Sequence, residues 1–295
     1  METLDALQRR IDVAEGLRDL VRTMKTLAAV SVRHHERSVA ALAEYAETVE
    51  LGLRALLRER PPPPAPRRAP TGRTGLLVIG SDQGMCGTFN EQVVARVRRD
   101  LDAAPGGAAG VRLHAVGARV EARLVEAGLT PEATSTMPLS TALLPSLVQD
   151  LLLVVEAWRA AGDLDGVALY HNVTRGHAGS HPHRQVLLPI TPEHLRALGR
   201  TPWPTPMLPM HTVDRAVLLA ALTRQHLLVT LHRALVLSLA AEHAGRLVAM
   251  QAAERNIDEQ LGGLRARYHQ QRQTAITTEL LDIVAGVEAL SGRAA

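Results

Sequence analysis

The sequence predicts an α/β fold: an antiparallel coiled coil of long N- and C-terminal helices, plus a central Rossmann-like α/β domain with a mainly parallel sheet. Both ends of the chain carry long proline-free stretches with apolar residues every three or four positions. Between them, short apolar runs alternate with helical patterns. Only six of the 295 residues are Trp, Tyr or Phe, so burial depends on Leu, Val and Ala, which suit packed helices.

The first long helix is predicted within residues 1–60. No proline occurs from Leu4 to Leu57, and a helix of that length spans roughly 80 Å, too long for one small globule. Four prolines at Pro61–Pro64 end it, because consecutive prolines lack N–H donors and favour an extended spacer. Residues 61–72 are therefore predicted to be a linker. The apolar stripe of this helix consists of Leu4, Leu7, Ile11, Ala14, Leu17, Val21, Met24 and Ala28.

Residues 73–200 are predicted to form the α/β domain. Its first strand is Leu76–Ile79, which a glycine-rich turn, Gly80–Gly87, joins to the next helix. The alternation of strands and helices implies βαβ units and a mainly parallel sheet. Further helices are predicted over Asn90–Leu101, Arg119–Ala127 and Leu143–Ala161, and further strands over Val111–Val116, Gly166–Tyr170 and, as a candidate, Gln185–Pro189.

The second long helix is predicted within residues 211–295, after a proline-rich linker over 201–210. Its apolar residues recur at steps of four, three and four, and a mean spacing near 3.5 residues is typical of a left-handed supercoil. Antiparallel pairing with the first helix would bury both apolar stripes. The two sets are Ile257, Leu261, Leu264 and Tyr268, then Ile276, Leu280, Ile283, Val287 and Leu290.

Composition excludes several classes of function. The 33 basic and 30 acidic residues give a net charge of +3, and their signs are interleaved, so the chain lacks the concentrated basic surface of a nucleic-acid-binding protein. Cys86 is the single cysteine, so no intrachain disulfide can form. The most apolar window, Ala216–Ala241, contains two arginines and two histidines, so it is predicted not to span a membrane, and any membrane association would go through a partner.

Three segments carry a family resemblance: IDVAEGLRDLVRTMKTLAAV at Ile11–Val30, LLVIGSDQGMCGTFN at Leu76–Asn90, and the block from Ala240 to Leu290 that contains GRLVAMQAAERN and RQTAITTELLDIV. In order and spacing they resemble the gamma subunit of the F-type, proton- or sodium-translocating ATP synthases, and the carboxyl-terminal block is the most specific. The family's glycine loop commonly has Arg at Gln83 and Leu at Met85, so this chain resembles a divergent branch.

The resemblance implies a mechanical role with no catalytic residue and no cofactor of its own. The two terminal helices would form a shaft inside a ring of alternating alpha and beta subunits, and ATP chemistry would take place in the beta subunits. The α/β domain would form a foot against the epsilon subunit and the membrane c-ring. The protein would lie peripherally at the cytoplasmic face of a bacterial membrane.

Seven residues are candidates for contact with the beta subunits. Met24 and Lys25 match the family's Met–Lys pair, which faces an acidic lever region of beta, and Arg22 and Arg33 belong to the same basic flank. The alternative interpretation of that flank is a solvated helix face. On the C-terminal helix, Arg272, Gln273 and Thr277 match polar positions that contact a loop near the catalytic sites, and the alternative is again an outward-facing surface.

Two further patterns favour structural interpretations. Gly80, Gly84 and Gly87 follow a strand and precede a helix, as in phosphate-binding loops, but the spacing matches no phosphate-binding motif, so a tight turn is favoured. The cluster of His171, His177, His181 and His183 could bind zinc, but a mobile surface loop is favoured. The competing functions are a small-molecule-binding α/β enzyme with helical oligomerisation arms and a coiled-coil adaptor.

Overall fold

The computed structural model describes residues 3–59, 73–104, 107–138, 141–162, 164–174, 179–190, 197–198, 203, 205, 207 and 209–291. The predicted linker over 61–72 and part of that over 201–210 lie outside these residues. The elements in chain order are α1 (Leu4–Glu59), β1 (Thr74–Ile79), α2 (Phe89–Asp102), β2 (Val111–Val116), α3 (Ala118–Glu126), β3 (Ala133–Ser135), α4 (Leu144–Ala161), β4 (Gly166–Thr174), β5 (Ser180–Leu188) and α5 (Arg215–Ser291). Short 3-10 turns occupy Gly107–Gly110 and Thr141–Leu143.

The chain divides into two compact units, one of residues 1–27 and 249–295, the other of residues 28–248. The first unit is an antiparallel pair formed by the beginning of α1 and the last part of α5. Its core contains buried Ile11, Val21, Met250, Ile257 and Leu261. The predicted stripe is wrong at Leu17, which is 49% exposed and not part of this core. Among the described residues four ion pairs cross between the helices and fix their antiparallel register: Glu15 with Arg265, Arg18 with Asp258, and both Arg22 and Lys25 with Glu254.

The prediction that pairing buries both apolar sets of α5 is wrong for the second set. Ile276 is 48% exposed, and Leu280 and Ile283 are each 58% exposed. Glu15 of α1 pairs with Arg265 of α5, and α1 begins at Leu4, eleven residues before Glu15. Because the helices are antiparallel, the first turn of α1 lies at the level of Ile276, eleven residues beyond Arg265. Beyond that level α5 has no facing turn of α1. Val287 and Leu290 lie outside the residues whose side chains the structure describes.

The second unit is built on a five-stranded sheet in the order β3-β2-β1-β4-β5. Strands β1 to β4 are parallel and β5 is antiparallel to β4, which confirms the mainly parallel sheet. β3 was not predicted, because its three residues include no apolar run. β5 covers Ser180–Leu188 instead of Gln185–Pro189, because polar residues on its solvent face hide the strand pattern.

Both faces of this sheet are covered, so its central strand β1 is continuously apolar from Leu76 to Ile79. Successive side chains of β1 alternate between the faces: Leu77 and Ile79 pack with α4 and α5, while Leu76 and Val78 pack with α2 and α3. Two helical segments, Thr141–Ala161 and Arg215–Ala285, are long and apolar enough to cross a membrane by length and composition. Burial of their apolar residues in this core, as at Leu151 and Leu231, accounts for that character.

Candidate functional site

The basic flank of α1 is bound to an acidic counterpart on α5. The Glu254 carboxylate, 16% exposed, accepts a hydrogen bond from Arg22 Nε at 2.8 Å and another from the Lys25 ammonium. These bonds, first from Lys25 and then from Arg22, hold the pKa of Glu254 below its usual range. Asp258, one turn further along α5, lies 3.9 Å from Arg18. The sequence prediction missed both acids, although their i, i+4 spacing is visible in the sequence.

The other candidate residues of α1 differ in environment. Met24 is partly buried against the core of the two-helix unit, so only part of its side chain is available to another protein. Arg33 is exposed and belongs to the second unit. The structure therefore joins Arg22 and Lys25 through one carboxylate, and it leaves Arg33 outside that cluster.

The candidate residues of α5 lie on an open helix surface. Arg272 and Gln273 are exposed, so neither side chain contributes to the core. The Thr277 hydroxyl donates to the Gln273 carbonyl oxygen at 2.9 Å, and Thr274 and Thr278 make the same type of bond to the preceding turn. Such bonds back to the preceding turn bend helices slightly. This polar segment overlaps the start of the exposed apolar residues, Ile276 being the first of them.

The glycine turn after β1 is closed by its own hydrogen bonds. The Asp82 carboxylate accepts from Ala118 N at 2.6 Å and from Met137 N at 2.7 Å, and so caps the beginning of α3. Asn90 accepts from Ser81 N and donates to Ser81 Oγ. The polar side chains of the turn are thus bound to one another and to neighbouring backbone groups, which supports the interpretation of this segment as a structural turn.

The three glycines of this turn have different roles. A Cβ at Gly80 would lie 2.3 Å from Val120 Cβ and 2.6 Å from Asn90 Oδ1, so only glycine fits. Gly87 has a φ of 66° with open space around it, and Gly84 is near only the Arg119 side chain, at 4.0 Å. Met85 also takes a positive φ, 62°.

We expect Gly80→Ala to lower the free energy of unfolding by about 3 kcal/mol, because the added methyl must displace the Val120 side chain in a packed core. The matched control, Gly84→Ala, should stay within about 0.5 kcal/mol of the wild type. Chemical denaturation of the purified variants measures both. Equal losses in the two variants would contradict the steric explanation.

The prediction of a surface loop is wrong for three of the four clustered histidines. His171 lies in β4, and His181 and His183 lie in β5; His177 is outside the described residues. His171 is paired in register with His183, and their rings meet edge to face with centroids 5.3 Å apart. Within the described part of the chain, no three His, Cys, Asp or Glu residues are grouped to hold a metal ion.

A second buried polar cluster, on α5, was not predicted. Arg246 Nη2 donates to Glu242 Oε1 at 2.6 Å, and both side chains are less than 10% exposed. The same nitrogen is 3.3 Å from the Gly84 carbonyl oxygen, so the pair also holds the glycine turn. Beside it, the His243 ring stacks on His35 at 5.2 Å between centroids. The available signal was a Glu and an Arg four residues apart in an otherwise apolar stretch.

Acidification should destabilise the second unit. Burial is the main cause that lowers the pKa values of His171 and His243 to about 4 from 6.5. The unfolded chain then binds more protons than the folded one between these values, so stability is fully present above pH 6.5 and is lost as the pH falls towards 4. We expect a loss of up to about 3 kcal/mol for each histidine.

Denaturant unfolding at a series of pH values measures this loss, and His243→Gln should flatten the pH dependence. A variant whose stability falls with pH as steeply as that of the wild type would contradict the assignment.

Comparison with known proteins places this geometry in a family. A family model described as ATP synthase matches residues 3–290. The ATP synthase gamma chain of Granulibacter bethesdensis is 30% identical, and the match covers 98% of this chain and all of that one. The gamma chain of Geobacter metallireducens is 28% identical, with 99% and 100% covered. The chain belongs to the ATP synthase gamma-chain family. This confirms the resemblance that the three sequence segments carry.

Solved structures confirm the fold. The central stalk and c-ring of the Tetrahymena thermophila mitochondrial ATP synthase contains a chain with a TM-score of 0.56 and 19% identity, covering 79% of this chain and 99% of that one. A rotor chain of the Euglena gracilis mitochondrial enzyme has a TM-score of 0.63 and 14% identity, covering 92% and 98%. Long terminal helices together with a central α/β domain are thus an architecture that this chain shares with central stalks.

Family membership decides between the competing functions. A gamma chain is the central shaft of an ATP synthase, so the chain is a non-catalytic subunit of a membrane-associated complex. The alternatives of a small-molecule enzyme with oligomerisation arms and of an unrelated coiled-coil adaptor are set aside. The roles of the candidate contact residues remain predictions.

Proposed function

We propose that the chain turns inside a ring of alternating alpha and beta subunits and couples ion flow through a membrane c-ring to ATP chemistry in the beta subunits. The epsilon subunit and the c-ring would contact its α/β domain at the cytoplasmic face of a bacterial membrane. The solved relatives are described as a central stalk with a c-ring and as a rotor. We propose the corresponding partners for this chain because it shares their fold.

One observation carries the proposal: the last turns of α5 expose an apolar face that α1 does not cover. Ile276, Leu280, Leu281, Ile283 and Val284 are 48% to 63% exposed. A contiguous exposed apolar surface of this kind marks a site of protein contact. Its side chains are aliphatic, without the rigid aromatic anchors of static interfaces, and this suits a surface that must slide within a surrounding sleeve.

We further propose that Arg22, Met24, Lys25 and Arg33 contact acidic residues of the beta subunits, and that Arg272, Gln273 and Thr277 contact a loop near the catalytic sites. Opposite charges would steer and hold the first contact. Because Lys25 and Arg22 share Glu254, a carboxylate of a beta subunit would have to join or replace Glu254 as their acceptor.

A pair of variants separates torque transmission from a purely internal role. If Lys25 contacts a beta subunit, Lys25→Gln should lower ATP-driven rotation under load by roughly threefold or more, the loss of about 0.7 kcal/mol or more. Glu254→Gln, which removes only the internal acceptor, should lower it less. Rotation of single complexes against a viscous load measures both. The double variant, Lys25→Gln with Glu254→Gln, completes the comparison. If it and both single variants lose rotation equally, Lys25 acts only through its internal pair with Glu254 and does not contact a beta subunit.

The overall proposal is tested by assembly. The full chain is mixed with the alpha and beta subunits of the same cell, and a probe is attached to the α/β domain. We expect a stable complex in which ATP hydrolysis rotates the probe in one direction. Failure to assemble with folded alpha and beta subunits, or assembly without rotation, would overturn the proposal.

A further inference from the structure

A cleft in the second unit has no role in the functions described above. It has a volume of about 450 Å³ and lies between α1, the β4–β5 hairpin and α5. That volume is within the range of small-molecule sites. Its polar and titratable lining groups are Glu50, His171, His183, Gln185, His226, Thr230 and Arg233, and its apolar walls include Val49, Val173, Val229 and Leu237.

The charge of this cleft is positive. Its one acidic group, Glu50, is engaged by Arg54 at 2.8 Å. Arg233 has no hydrogen-bond or ion-pair partner among the residues that the structure describes. Burial is the main cause that lowers the pKa values of His171 and His183, and the positive charges of Arg233 and Arg96, respectively, lower them further. A guanidinium without an internal counter-ion, facing a cleft, is the natural partner of an oxyanion.

The imidazoles and a hydroxyl add hydrogen-bonding groups around that cation. His171, only 1% exposed, is anchored by a contact of 3.2 Å between its Nδ1 and the Asn172 carbonyl oxygen. The edge-to-face contact with His171 supports the His183 ring at the mouth of the cleft. His183 offers a ring N–H group and Thr230 offers a hydroxyl. Neutral imidazoles next to arginines suit an anion better than a metal cation.

We infer that this cleft binds a small oxyanion of the phosphate or sulfate class, with Arg233 as the charge partner and His183 and Thr230 as hydrogen-bonding groups. The site would take either a free inorganic ion or the phosphate group of a small metabolite, since the cleft extends beyond one phosphate. The inference is independent of the proposed partners and of torque transmission.

The test measures binding to the full purified chain by calorimetry and by the shift in thermal unfolding. The probes are sulfate, inorganic phosphate and glycerol phosphate, each compared with chloride at equal ionic strength. We expect saturable binding that Arg233→Gln weakens by about tenfold or more. Arg255→Gln removes the same charge from an exposed site in the other unit and should leave binding unchanged. His183→Gln, also at an exposed position, should weaken binding by a smaller factor.

The relative affinities of the probes distinguish a free ion from a phosphorylated metabolite as the ligand. Equal affinity for phosphate and glycerol phosphate would indicate a free ion as ligand, and tighter binding of glycerol phosphate would indicate a phosphorylated metabolite. The inference is overturned if no probe gives a saturable response, or if Arg233→Gln and Arg255→Gln respond like the wild type, as expected for ions acting on the general surface. Unfolding curves without anion confirm that each variant is folded.

Discussion

Arg246→Ala should lower the free energy of unfolding by about 3–5 kcal/mol, the cost of leaving a buried carboxylate without its partner. Burial already raises the pKa of Glu242, against the opposing effect of Arg246. The substitution also removes the hydrogen bond to the Gly84 carbonyl oxygen. The glycine turn after β1 should therefore loosen together with α5. Denaturant unfolding measures the loss, and hydrogen exchange at the turn locates it.

The control is an arginine that also pairs with an acid four residues away on its helix, but at an exposed position. Arg98 pairs with Asp102 at 3.4 Å, and the two side chains are 51% and 66% exposed, so Arg98→Ala should cost less than about 1 kcal/mol. Replacing Glu242 and Arg246 together by leucine should restore much of the stability, because no charge remains buried. A double variant as unstable as Arg246→Ala would show that the loss comes from packing instead of charge.

The joint substitution Arg272→Ala and Gln273→Ala should lower coupled ATP synthesis by about tenfold, equivalent to about 1.4 kcal/mol, with little change in folding. Both side chains are exposed on α5, so their removal creates no cavity and leaves no buried group unpaired. The effect rests on the proposed contact with the catalytic ring. Synthesis rates in membranes that contain the assembled complex, together with the thermal unfolding of the purified chain, provide the two readouts.

Arg267 and Gln270 supply the matched control. They are exposed on the same helix and carry the same side-chain types, but they match none of the polar contact positions. Their double alanine variant should synthesise ATP at close to the wild-type rate. An unchanged rate in the Arg272 and Gln273 variant, or an equal loss in both doubles, would remove the claim that this segment makes a specific contact.

The long helices were predictable because their determinants are local. Steps of three and four between apolar residues, and the absence of proline, predict long helices within residues 1–60 and 211–295, and the structure has α1 at Leu4–Glu59 and α5 at Arg215–Ser291. The apolar run that ends at Ile79 similarly indicates a strand covered on both faces. The family could also be recognised from the sequence, because three separate segments carry its motifs in the right order.

The errors arose where a residue's role depends on distant partners. The heptad spacing at Ile276, Leu280 and Ile283 looks like that of a buried seam, but their exposure follows from the point where α1 begins. His171 was interpreted as a loop residue because the pairing of β4 with β5 cannot be read from the polar residues of the hairpin. Local patterns specify secondary structure, whereas the availability of a partner strand or helix decides burial.

The sequence by itself determined the α/β class, the two long helices, the mainly parallel character of the sheet and the gamma-chain family. Only the tertiary structure placed Glu254 beneath Lys25 and Arg22, Glu242 with Arg246 in the core, and three histidines and Arg233 around one cleft. The physical reason is range. Helical and strand periodicities depend on residues a few positions apart. The partner and the burial of a charged side chain depend on elements that can be 100 or more positions away in the chain, as with Lys25 and Glu254.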